Sequence, residues 1–91
     1  MGKPPGKHRT PSLHDPIYGE FVQLLVGLRK SSGLKQHHIA KALGWHQSVV
    51  SKIERQQRRM DIMELIRVAE VLRIDAAAIV RRMQRRIRGD E

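Results

Sequence analysis

No cysteine occurs anywhere in the 91 residues, which excludes a disulfide framework and a thiolate metal centre. One Trp, one Tyr and one Phe are the only aromatic residues. A core must therefore be assembled from Leu, Ile, Val, Ala and Met. No segment alternates apolar and polar residues at period two, so packed helices are favoured over a β-sandwich. No apolar run approaches the ~18 residues that a membrane span requires. The basic N-terminus is followed by no apolar stretch, which sets the expectation of no secretory leader and a cytoplasmic location. Acidic residues are scarce as well: nine Asp and Glu stand against 18 Lys and Arg, giving a net charge of +9 and a pI near 11.1. A small domain with a pI above ~9 carries the electrostatic footprint of a polyanion binder, because side chains that neutralise phosphates release condensed counterions. A chain of this length supports one small domain.

Residues 1–14, MGKPPGKHRTPSLH, hold three of the four prolines and no acid. They read as a flexible basic arm, since proline lacks the N–H that a helix interior needs. Asp15-Pro16 is a helix start, an N-cap acceptor followed by proline in the first turn. Ile17, Phe21, Leu24, Leu25 and Leu28 then recur at helical spacing. This helix should stop near Ser31-Ser32-Gly33, with Gly33 taking the left-handed position. A short helix is expected from about Lys35 to Leu43, with Ile39, Ala40 and Leu43 on one face and Gly44 as its stop. Another runs from about Gln47 to Arg55, with Val50 and Ile53 inward. A polar loop of Gln56, Gln57, Arg58 and Arg59 follows. Asp61 and Glu64 have the spacing of a capping box and open a helix with Ile62, Leu65, Ala69 and Leu72 inward. Asp75 caps a last helix from Ala76 to about Arg88. It carries a narrow stripe of Ala76, Ile79, Val80, Met83 and Ile87, and an opposite arc of Arg81, Arg82, Arg85, Arg86 and Arg88. The expected organisation is all-α: an arm over 1–14, a five-helix domain over 15–80, and an arginine-rich extension of the last helix over 81–91.

The most specific segment is QHHIAKALGWHQSVVSKIE, from Gln36 to Glu54. Two short helices joined by a tight turn need a small residue where they cross, a glycine in the turn and apolar residues pinning the second helix. Ala40 is the small crossing residue, and Gly44 lies four residues later, where positive φ costs glycine little. Ile39, Leu43, Trp45, Val50 and Ile53 complete the apolar set. With Val50 and Ile53 inward, Gln47, Ser48, Ser51, Lys52 and Arg55 face outward.

The stretch from Leu28 to Asp75 resembles the Cro/cI-type, lambda-repressor-like helix-turn-helix regulators. The matching features are Leu28-Arg29, Gly33-Leu34-x-Gln36, Ile39-Ala40-x-x-Leu43-Gly44, Ser51-x-Ile53-Glu54 and the helix from Leu65 to Leu72. The resemblance, over about residues 17–80, implies a five-helix domain whose third helix enters the major groove of duplex DNA. By family position, Gln47, Ser48 and Lys52 are the base readers. Glutamine suits adenine N6/N7, and lysine suits guanine O6/N7. Gln36, at the start of the second helix, is implied to contact phosphate. Ser51, Arg55, Arg58 and Arg59 are expected as flanking phosphate contacts. Arg29 and Glu54 are implied to form a partly buried ion pair between helices one and three. Trp45 is expected at the edge of the core.

This sequence departs from the family pattern at two positions. Gln56 replaces the glycine usually found two residues after the motif's Glu, so that turn must be strained or capped differently. His46 stands where Ser or Thr usually caps the third helix, and it is a weaker acceptor.

The five histidines do not form a metal motif. His37 and His38 are adjacent, so they should point to different helix faces, and no Cys or nearby acid completes a ligand set. No catalytic motif is apparent, and no cofactor is implied. The expected activity is sequence-specific duplex DNA binding by a transcriptional repressor acting on a palindromic operator. A homodimer is expected through Ile79, Val80, Met83 and Ile87. A related alternative is an antitoxin that binds a toxin partner and represses its own operon. An alternative of another class is a basic protein of RNA or membrane surfaces.

Overall fold

A computed structural model of the chain describes residues 14–90. The expected arm therefore lies outside the described residues except for His14. Five helices follow in order: α1 (Pro16–Ser31), α2 (Gln36–Leu43), α3 (Gln47–Glu54), α4 (Ile62–Leu72) and α5 (Ala76–Arg88). The architecture is all-α, as expected from the sequence.

The helix ends are set by local chemistry. Asp15 Oδ1 accepts from the Ile17 N–H at 2.7 Å and the Tyr18 N–H at 3.3 Å, with Pro16 opening α1. Gly33, at φ 74°, turns the chain out of that helix. The capping box at α4 closes in both directions: the Glu64 N–H donates to Asp61 Oδ1 at 2.8 Å, and the Asp61 N–H donates to Glu64 Oε1 at 3.0 Å. Asp75 caps α5 by accepting from the Ala77 N–H at 3.0 Å. α4 ends on Arg73 in the left-handed conformation, at φ 59°.

The core has two adjoining parts. Ile39, Ala40, Val50, Val68 and Leu72 form one, ringed by Leu28, Leu34, Leu43 and Trp45. Leu25, Leu65 and Ile79 form the other, beside Phe21 and Leu24. Truncating a buried Leu or Ile of this kind costs about 2–5 kcal/mol. α2 packs on α3 and α4, while α5 packs on α1 and α4. The last helix thus supports the domain from the side away from α2.

Two expectations about burial are corrected, and one core residue is added. Ile62, read as inward, is 57% exposed. It is the first residue of α4, before the helix has closed onto its neighbours. Ile79, read as part of a dimer stripe, is 5% exposed because it fills the space between Leu25 and Leu65. Val22, not singled out from the sequence, is 1% exposed. The second half of α5 is also tied down: Arg86 makes a two-pronged bond to Glu20 of α1, at 2.7 and 2.9 Å.

Candidate functional site

The turn between α2 and α3 depends on Gly44, at φ 71° and ψ 26°. A Cβ added there would meet nothing within 4 Å, so the demand for glycine comes from the backbone angle and not from crowding. The Trp45 N–H reaches back to the Ala40 carbonyl at 2.8 Å and closes α2. Ala40, 3% exposed, lets the two helices approach, while Val50 and Ile53 anchor α3 from below. Gln47, Ser48, Lys52 and Arg55 are exposed, and Ser51 is half-buried. The sequence-predicted readers are therefore together on one outward face.

Each of the two helices begins on a histidine nitrogen. The Lys35 N–H donates to His38 Nδ1 at 2.8 Å at the start of α2. At α3, His46 Nδ1 accepts from the Ser48 N–H at 3.2 Å and lies 2.9 Å from Ser48 Oγ. Imidazole takes the place of the usual N-cap hydroxyl or carboxylate at α3, and of the usual N3 Glu or Gln at α2. His37 and His38 do not diverge as expected: their ring centroids are 4.2 Å apart. The cap to Lys35 turns His38 back toward the N-terminus. Among the described residues, no three His, Asp or Glu side chains are grouped closely enough to hold a metal ion.

A chain of polar contacts ties α3 to the rest of the domain. Arg29 donates from Nε to Glu54 Oε2 at 2.7 Å and from Nη2 to Glu54 Oε1 at 2.9 Å. Its Nη1 donates to the Leu34 carbonyl at 2.9 Å. The two side chains are only 12% and 14% exposed. Gln36 Nε2 also donates to Glu54 Oε1, at 2.9 Å, and Gln47 Nε2 lies 3.5 Å from Gln36 Oε1. Gln36 is thus held between the ion pair and the exposed end of α3. The His38 N–H already donates to the Lys35 carbonyl at 3.0 Å, which leaves the Gln36 and His37 amides of the first turn of α2 without an intrahelical acceptor.

These pairings shape the local charge. From Lys35 to Arg55 the chain carries Lys35, Lys41, Lys52 and Arg55 against a single acid, Glu54. Because Arg29 engages that acid, the exposed face of α2 and α3 presents positive charge without a competing carboxylate.

The loop after α3 is more constrained than its polar sequence indicates. Gln56 adopts φ 58°, the left-handed conformation that suits glycine. Its side chain lies over Gly19 of α1, 3.4 Å from where a Cβ would stand. Arg58 forms a two-pronged bond with Glu64, at 2.7 and 3.0 Å. The Arg58 hydrogen bonds are the largest influence holding the Glu64 carboxyl below its ordinary range, against burial, which pushes it up. The same bonds hold the Arg58 guanidinium above its ordinary range. Arg59 lies over the Tyr18 ring, 4.7 Å from its centroid, and the Tyr18 hydroxyl accepts from the Met60 N–H at 3.0 Å. Tyr18 and Glu64 therefore organise this loop. Only the capping-box spacing of Glu64 was visible in the sequence.

A family model described as helix-turn-helix matches residues 27–79. Among solved structures, an XRE-family like protein from Pseudomonas syringae pv. tomato str. DC3000 is similar, with a TM-score of 0.74 and 30% sequence identity. The match covers 79% of this chain and 88% of that one. No curated protein matches the chain. Among the described residues, no helix is long and apolar enough to cross a membrane.

Proposed function

Because this chain belongs to the Cro/cI-like helix-turn-helix family of DNA-binding transcriptional regulators, we propose that it reads a specific duplex sequence with the exposed face of α3 and represses transcription as a homodimer on a palindromic operator. The observation carrying this reading is the division of α3. Val50 and Ile53 are buried, Gln47, Ser48 and Lys52 are exposed, and Arg29 holds Glu54, the single acid between Lys35 and Arg55.

In this proposal Gln47, Ser48 and Lys52 contact base edges in the major groove. Gln36, Ser51 and Arg55 lie against flanking phosphates and set the register. Arg58 and Arg59 act mainly by shaping the loop, since Glu64 and Tyr18 already engage them. Dimerisation uses Val80, Met83 and Ile87. Val80 is 46% and Ile87 69% exposed, and they border a groove of about 820 Å³ that Ile17, Phe21 and Met83 also line. Ile79 takes no part because it belongs to the core. Selection of bound sites from random duplex DNA tests the reading. A two-fold symmetric motif is expected, whereas enrichment of no sequence would refute it.

A further inference from the structure

We infer that His46 fixes the hydrogen-bonding polarity of Ser48, making its hydroxyl an acceptor toward the groove and so selecting a base that offers an exocyclic amino group. The inference rests on the reading above, in which Ser48 meets a base edge. A backbone N–H can only donate, and that of Ser48 reaches His46 Nδ1 at 3.2 Å. As the acceptor of that bond Nδ1 carries no proton, which assigns the ring hydrogen to Nε2. Ser48 Oγ lies 2.9 Å from the same Nδ1. A hydrogen bond between these two atoms needs one proton, and only the hydroxyl has it. Ser48 Oγ–H thus donates to His46 Nδ1, which shares its one lone pair with the longer backbone bond as a three-centre contact.

This direction leaves only the oxygen lone pairs of Ser48 for an outside partner. An unconstrained serine rotates its hydroxyl to donate or accept as required and discriminates little. A serine whose proton is committed can only accept. In the major groove, adenine N6 and cytosine N4 donate, whereas guanine O6 and N7 and thymine O4 accept. His46 and Ser48 are both exposed at the start of α3, so the constrained hydroxyl belongs to the presented face.

The test compares base preferences, selected from a random duplex pool, for the full chain and for His46→Thr and Ser48→Ala, with helix content followed by circular dichroism. Threonine is a stronger cap than histidine, so α3 is retained, but its hydroxyl both donates and accepts and leaves Ser48 unconstrained. In the unaltered protein, one position per half-site should favour adenine or cytosine by about fivefold, as expected of one net hydrogen bond. Ser48→Ala should flatten that position. His46→Thr should remove its amino-base bias and leave the other positions unchanged. If Ser48→Ala flattens the position but His46→Thr keeps the bias, the role of His46 is overturned while Ser48 stands as a reader. If Ser48→Ala changes no position, the base-reading role fails and this inference fails with it. A Ser48-dependent preference for guanine or thymine, or a uniform loss of affinity in His46→Thr with an intact profile, also overturns it.

Discussion

Replacing Arg29 with Met isolates the contact that joins α1 to α3. The substitution keeps most of the aliphatic stem but removes three hydrogen bonds, two to Glu54 and one to the Leu34 carbonyl. The Glu54 carboxylate would keep the neutral Gln36 Nε2 as a side-chain donor, at 14% exposure. Breaking a fully buried pair costs about 3–5 kcal/mol, because the remaining charge is left without a partner. Residual contact with water reduces this to an expected loss of about 2–3 kcal/mol. In a domain of this size the midpoint of thermal unfolding should fall by roughly 10–20 °C. Urea unfolding should show the same loss at an unchanged m-value. The double variant Arg29→Met/Glu54→Leu removes the orphaned charge and should regain at least half of the lost stability. A loss below about 1 kcal/mol would place the pair among ordinary surface contacts. A double variant no more stable than the single one would refute the orphaned-charge argument.

Glu64→Gln should destabilise the protein by about 1 kcal/mol at neutral pH, through the weakened box and the lost Arg58 bridge. The folded carboxyl lies below its unfolded range, so this stability is present above the unfolded pKa and is lost as pH falls through the folded one. The difference between the two proteins in urea melts should therefore vanish in acid, and a pH-independent difference would count against it. Gln56→Gly removes left-handed strain of about 1–2 kcal/mol, offset in part by the greater freedom of the unfolded chain, for an expected gain of about 0.5–1 kcal/mol. A net loss in thermal melts would mean that the side chain over Gly19 contributes more than the strain costs. Val80→Glu/Ile87→Glu should preserve the fold and abolish two-to-one binding on a two-half-site duplex. Unchanged stoichiometry by sedimentation would remove this surface from the proposed dimer.

Most of the fold was legible because its punctuation is local. Asp15-Pro16, Asp61 with Glu64, Asp75, Gly33 and Gly44 each act within one turn of a helix end, and all five helices appear where these signals put them. The departures at Gln56 and His46 were also visible, although their outcomes were not. Gln56 accepts the strained angle, and His46 caps through its ring nitrogen. Tertiary arrangement accounts for what was missed. Helical period placed Ile62 inward, but at 57% exposure it stands off the packed face of α4, which begins at Leu65. It also grouped Ile79 with Val80 and Ile87, whereas only the crossing of α5 over α1 and α4 separates the buried residue from the exposed ones. The contacts of Tyr18 with Arg59 and Met60 span about 40 positions of sequence, and no spacing rule signals them.

Base reading by α3 is tested most directly by comparing affinities for a selected duplex and for a scrambled duplex of equal length and composition, at fixed salt, for the unaltered protein and Gln47→Ala. The selected site should bind the unaltered protein at least about a thousandfold more tightly than the scrambled one. Gln47→Ala should reduce that ratio by about 1–3 kcal/mol per half-site while leaving the scrambled affinity unchanged. Equal affinity of the unaltered protein for both duplexes, or a ratio indifferent to Gln47, would contradict the account.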